Sequence, residues 1–128
     1  MEDQTLFILY STSTDIMQHT EQHLQIFITV PSRECAESIC RKIVESRLAA
    51  CAQVTGPITS TYWWDEKIET TEEWLCIMKT RSNLLDDLEN EILEAHPYEV
   101  PEIVALPIVA GSKEYLAWID STTVVIDE

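Results

Sequence analysis

Glycine is nearly missing from this chain. Gly56 and Gly111 are its only two, so neither a Walker loop nor a GxGxxG fingerprint, which need glycines at close fixed spacing, can be built. Basic side chains are also few: 8 Lys and Arg stand against 23 Asp and Glu, a formal charge of −15. Such a surface repels phosphate backbones and anionic membranes and attracts cations, which sets nucleic acid aside as a partner. No stretch approaches the roughly 20 apolar residues of a membrane span, so no membrane insertion is expected. The early apolar run, residues 6–10, follows Glu2 and Asp3 rather than a basic segment, which argues against a secretory signal. Cys35, Cys40, Cys51 and Cys76 form no CxxC pair and lie in apolar runs. That is the pattern of buried, reduced thiols, with the cytoplasm as the expected compartment.

What is present fits one domain, with roughly two-thirds of the unfolded surface buried on folding. Residues 1–23 carry no helical or strand period and read as a flexible N-terminal extension; residues 24–128 read as the domain. Leu24, Ile26, Ile28 and Val30 alternate at period two, a strand closed by Pro31. Ser32 then stands as N-cap to a helix carrying Cys35, Ala36, Ile39, Cys40, Ile43, Val44 and Leu48 at helical spacing. Residues 51–54 and 58–64 read as a strand bent at Gly56-Pro57, turned by Asp65-Glu66, and residues 68–80 return as a long strand apolar on both faces at its end. Ser82 is expected to cap a second helix with Leu84, Leu85, Leu88, Ile92 and Leu93 inward. A strand over 102–109 and a short helix capped by Ser112 complete the pattern, with Tyr115, Leu116 and Ile119 on one side of that helix.

The order βαββαβ plus a terminal helix predicts an α+β, ferredoxin-like sandwich in strand order 4-1-3-2. Proline agrees, since Pro57 and Pro107 fall on the two strands that this order places at the edges. Both main helices then cover one face. The other face, with Trp63, Trp64, Trp74, Cys76, Met78 and residues 103–109, is too apolar to leave wet, and oligomerisation through it is the economical remedy.

His96-Pro97-Tyr98-Glu99-Val100-Pro101-Glu102 places imidazole, phenol and two carboxylates where a helix must stop. Pro97 and Pro101 hold their own φ and push His96 and Val100 towards extended conformations. Residues 82–112 add Asp86, Asp87, Glu89, Glu91 and Glu94 without a Lys or Arg, which is either a solvated acidic face or a cation site. No Ser-His-Asp or Cys-His constellation can be assembled, so no enzyme is expected; an acid-base role for His96 with Glu99 is a minor reading.

Leu48-Ala49-Ala50-Cys51, Thr59-Ser60-Thr61-Tyr62-Trp63-Trp64, Met78-Lys79-Thr80, residues 96–102, Leu106-Pro107-Ile108 and Tyr115-Leu116-Ala117-Trp118 occur in the order seen in CutA, the divalent-cation tolerance family. The chain resembles that family over residues 24–121. The resemblance implies a homotrimer of ferredoxin-like subunits, similar in architecture to the PII signalling proteins, that binds and responds to copper or another divalent cation. In some members of that family copper ligation has been proposed through a first-strand cysteine and paired histidines before the Pro-Tyr motif. Here those positions hold Ile28, Ala95 and His96. A weakly bound metal would therefore rest on His96 with Glu99, Glu102, Cys51 or another subunit. Tyr62, Trp64, Lys79 and Tyr98, with Glu99 and Glu102, resemble the residues of the family's intersubunit clefts. Glu66 stands where related hairpins place glycine, so a different turn is expected. The alternative function is a structural, anchoring trimer or a PII-like small-molecule module with incidental metal contact.

Overall fold

The computed structural model describes residues 23–124. Of the extension assigned to residues 1–23 only His23 falls within them, and residues 6–10 lie outside the described residues. The order is β1 (His23–Val30), α1 (Arg33–Glu45), β2 (Cys51–Trp64), β3 (Lys67–Arg81), α2 (Leu85–Ala95), β4 (Ile103–Pro107) and α3 (Lys113–Thr122). The strands form one antiparallel sheet in the order β2-β3-β1-β4. This is the expected topology, with Pro57 and Pro107 on the edge strands, where a missing N–H costs no ladder bond.

Alternation sorts the core. Leu24, Ile26, Ile28 and Val30 of β1 face the helices, as do Cys76 and Met78 of β3, with Trp74 packed against them, contrary to their expected place on the other face; Ala36, Ile39 and Ile43 of α1 and Leu88 and Ile92 of α2 close over them. Ser32 Oγ accepts the Cys35 N–H at 3.1 Å, as its position predicts. Helix α1 ends in a Schellman arrangement: Arg47 turns left-handed at φ 63, and the Leu48 N–H reaches Ile43 O at 3.2 Å.

Two helical expectations change. Ser82 opens a 3-10 turn, Ser82–Leu84, and α2 begins only at Leu85 with Leu84 as an N-cap that gives no side-chain bond. Leu93 is exposed, because it lies about 100° around the helix from Ile92, off the Leu88–Ile92 stripe. Strand β4 is also shorter than the apolar run 102–109, its pairing stopping at Pro107.

Strand β2 is continuous, with a bulge between Thr55 and Ile58, where Gly56 and Pro57 lie opposite the single residue Trp74. Gly56 is required there because a Cβ would sit 2.5 Å from Trp74 Cδ1. Past the bulge, β2 and β3 continue as a two-stranded arm, turned at Asp65 and Glu66 with φ 54 and 63. Positive φ at both central residues marks a type I′ hairpin, so the turn keeps a glycine-favouring geometry despite carrying none.

Helix α3 crosses the second face of the sheet at one end. Ile119 is fully buried there, Arg81 donates to Thr123 Oγ1 at 2.8 Å and to the Val124 carbonyl, and His23 Nε2 meets Asp120 Oδ1 at 2.8 Å. Tyr115, expected on the same side of the helix as Ile119, is 41% exposed. The middle of this face stays open, with Phe27 in register with Ile77 and Val104.

Candidate functional site

The corner after α2 is built by proline. His96 is the C-cap of α2, extended at φ −82 and ψ 136 as Pro97 requires, and its N–H still reaches Ile92 O at 2.8 Å. Its imidazole is buried. Nε2–H donates to the Thr29 carbonyl at 2.8 Å, and Nδ1 accepts the Tyr98 N–H at 3.1 Å. One nitrogen donating and one accepting is the neutral ring with both positions spent.

Tyr98 packs tilted against this ring, centroids 4.8 Å apart, and its hydroxyl donates to Glu73 Oε2 at 2.9 Å. Burial, and then the bond to Glu73, push the phenol up to about 12. Thr29 Oγ1 donates to Glu102 Oε1 at 3.4 Å. Residues 96–102 are thus tied to β1 through Thr29 and to β3 through Glu73.

Between this corner and the base of the β2–β3 arm lies an open cleft of about 780 Å³. Tyr62, Trp64 and Tyr98 give it aromatic walls, and Glu69, Glu72, Glu73, Glu99 and Glu102 give it five carboxylates. Among the described residues no Lys, Arg or His lines it. Its field attracts cations, and its concavity strengthens that field.

The structure gathers part of the expected set. Tyr62, Trp64, Tyr98, Glu99 and Glu102 meet in the cleft, while His96 lies buried beneath the corner that frames it. Lys79 is not there: it sits six residues along β3 from Glu73, about 20 Å in an extended strand, and its Nζ donates to Gln53 Oε1 at 3.3 Å. Cys51 is likewise remote, since it pairs with Lys79, opposite Gln25 rather than Thr29, and its Sγ lies 3.5 Å from Tyr115 Oη. Among the described residues no three His, Cys, Asp or Glu side chains converge to hold a metal ion. Within this chain the expected His96, Glu99, Glu102 and Cys51 set does not converge: Cys51 is at the far end of the sheet, and both ring nitrogens of His96 are engaged in hydrogen bonds.

Thr29, Glu69, Glu72 and Glu73 were missed from sequence. Glu69, Thr71 and Glu73 recur at period two on β3 and so share a face, but that signal means something only once the corner is known to fold over them. The cysteines are free. Burial pushes the Cys35 thiol up; its contact with Cys40, then burial, do the same to Cys76, so Cys76 is an inert core thiol.

A family model described as CutA1 divalent ion tolerance protein matches residues 24–122. Similar chains include the "Divalent-cation tolerance protein CutA" of Archaeoglobus fulgidus, 45% identical over 100 residues that cover 78% of this chain and 97% of that one. The rice "Protein CutA 1, chloroplastic" is 40% identical over 113 residues, 88% of this chain, and the match spans only 61% of the plant protein's length. The solved structure of the divalent cation tolerance protein of Thermus thermophilus is similar with a TM-score of 0.78 at 42% identity, covering 79% of this chain and 98% of that one.

Proposed function

Because this chain belongs to the CutA1 divalent ion tolerance family, we propose that it acts in divalent-cation tolerance as a homotrimer that gathers divalent cations, copper among them, weakly in its acidic cleft. The observation that carries this reading is a concave surface of five carboxylates with no cationic side chain among the described residues that line it. Spread carboxylates attract a hydrated divalent ion through their summed field without stripping its water, which suits loose, exchangeable binding. The protein binds and responds rather than catalyses, since the imidazole nearest the cleft has both nitrogens engaged. Four free thiols suit a reducing compartment such as the cytoplasm.

Calorimetric titration of the protein with Cu²⁺ tests this. Weak binding is expected that falls with added salt, drops severalfold in a Glu99→Gln, Glu102→Gln double variant and is unmoved by His96→Gln. Abolition by His96→Gln with the fold intact would restore the imidazole as the ligand and reject the cleft. No binding at all would favour the anchoring reading, for which the exposed Trp63 and Trp64 of the arm supply a surface.

A further inference from the structure

Two of the four cysteines are buried, Cys40 and Cys76, and packing sets them face to face although they come from different elements. Cys40 belongs to the inward stripe of α1 with Ala36, Ile39 and Ile43, and Cys76 alternates with Met78 on the side of β3 that this helix covers. Their thiols hydrogen-bond to one another. The pair differs in access. Cys76 is fully sealed, whereas Cys40, at 7% exposed, lies on the wall of an open pocket of about 320 Å³ that Arg41, Val44, Glu45 and Ala52 also line. Ala52 pairs with Met78 and so shares its face, which puts the pocket on the helix-covered side of the sheet, away from the open one.

The pair also differs in its proton. Arg41 and Glu45 neutralise each other at 3.0 Å, so the neighbour that acts on the Cys40 sulfur is Cys76. Its S–H holds the Cys40 thiol below the ordinary value, against the opposing effect of burial. The same contact, followed by burial, keeps the proton on Cys76. A thiolate is the nucleophilic form of cysteine, and oxidation follows thiolate character and access together. Both favour Cys40. Cys76 is inert while it keeps its proton, yet it stands in contact with whatever forms on the Cys40 sulfur.

We propose that Cys40 is a site of oxidation by peroxide and Cys76 its resolving partner, the two closing into a reversible disulfide that ties α1 to β3. In the first step the Cys40 thiolate attacks one oxygen of hydrogen peroxide. The O–O bond breaks, the sulfur is oxidised to sulfenic acid, and the other oxygen leaves as hydroxide. In the second step the Cys76 sulfur attacks the Cys40 sulfur and the S–O bond breaks. The oxygen leaves as water, carrying the proton that Cys76 gives up. Sulfurs already in contact need only close to about 2.05 Å, with no remote segment to bring in. A small thiol entering the pocket reverses the bond by attacking the Cys40 sulfur.

The test treats the full chain with hydrogen peroxide, alkylates the remaining thiols under denaturing conditions and maps the peptides by mass spectrometry without reduction. The expected product is a Cys40–Cys76 linked peptide, lighter by two hydrogens than its parts and removed by dithiothreitol. Cys40 should be consumed severalfold faster than Cys35 of the same helix, whose thiol burial pushes up. In Cys76→Ala, dimedone should label Cys40 as a persistent sulfenic acid. Oxidation confined to Cys35 or Cys51 while Cys40 and Cys76 still take the alkylating agent would overturn the proposal, as would a link from Cys35 to either of them. A folded Cys76→Ala chain whose Cys40 takes no dimedone would overturn it too. Should that variant fail to fold, the map of the parent chain still gives the answer.

Discussion

The Tyr98 phenol donates a hydrogen bond to a buried carboxylate, which places a pH-dependent contribution to stability at one side chain. Its pKa is raised from the ordinary 10 to about 12, by burial first and then by Glu73. A raised folded pKa means that the fold favours the protonated phenol, so the contribution is complete below the unfolded value and is lost as pH climbs through the folded one. Denaturant unfolding followed between pH about 10 and about 12 should show stability falling more steeply in the parent than in Tyr98→Phe. Equal slopes would remove Tyr98 from the account. At this scale the sequence was informative about identity and silent about partnership. Pro97 dictated an extended His96, but the Thr29 carbonyl that takes up its Nε2 is 67 residues away along the chain, and no local rule finds it.

At the scale of elements, the arm turn departs most from local preference. Asp is a residue type that tolerates the left-handed region, as at Asp65, whereas Glu66, at φ 63, meets the steric cost of roughly 1–2 kcal/mol that an L-residue carries there. Glu66→Gly removes that cost and returns part of it as extra freedom of the unfolded chain. A net gain of about 0.5–1 kcal/mol is expected, read as a higher denaturation midpoint at unchanged slope. Lower stability would mean that the Glu66 side chain holds a contact worth more than the strain. The turn's place could be read from Asp65-Glu66, whereas its type was expected to differ. The two strands settled the matter, because their right-handed twist suits a type I′ turn whatever residues fill it. The bulge shows the opposite balance: Gly56-Pro57 marked it in sequence, and the Trp74 ring against Gly56 supplies the reason.

At the scale of the whole molecule, one face of the sheet is sealed by α1 and α2, while the other is covered only at the α3 end. Phe27, Leu75 and Ile77 are half-buried there, Val104 and Leu106 are exposed, and Trp63 and Trp64 project from the arm at 71% and 62% exposure. So much apolar surface on a chain of net charge −15 marks an interface. Sedimentation equilibrium should find a trimer at micromolar concentration, with a melting temperature that rises with protein concentration where unfolding is reversible. A monodisperse folded monomer would refute this assembly.

Period and punctuation were enough to determine the order of the elements, the edge positions of the proline-bearing strands, the caps at Ser32 and Ser112 and the inward face of β1. Each is a matter of spacing along the chain, and backbone sterics convert spacing into local structure without help from distant residues. Tertiary structure alone decided the site. It placed Lys79 and Cys51 at the far end of the sheet, spent both nitrogens of His96 inside the fold, and set the buried Glu73 against the Tyr98 hydroxyl. Those outcomes depend on strand register and on which carbonyl meets which ring, and both arise only when segments remote in sequence are packed together.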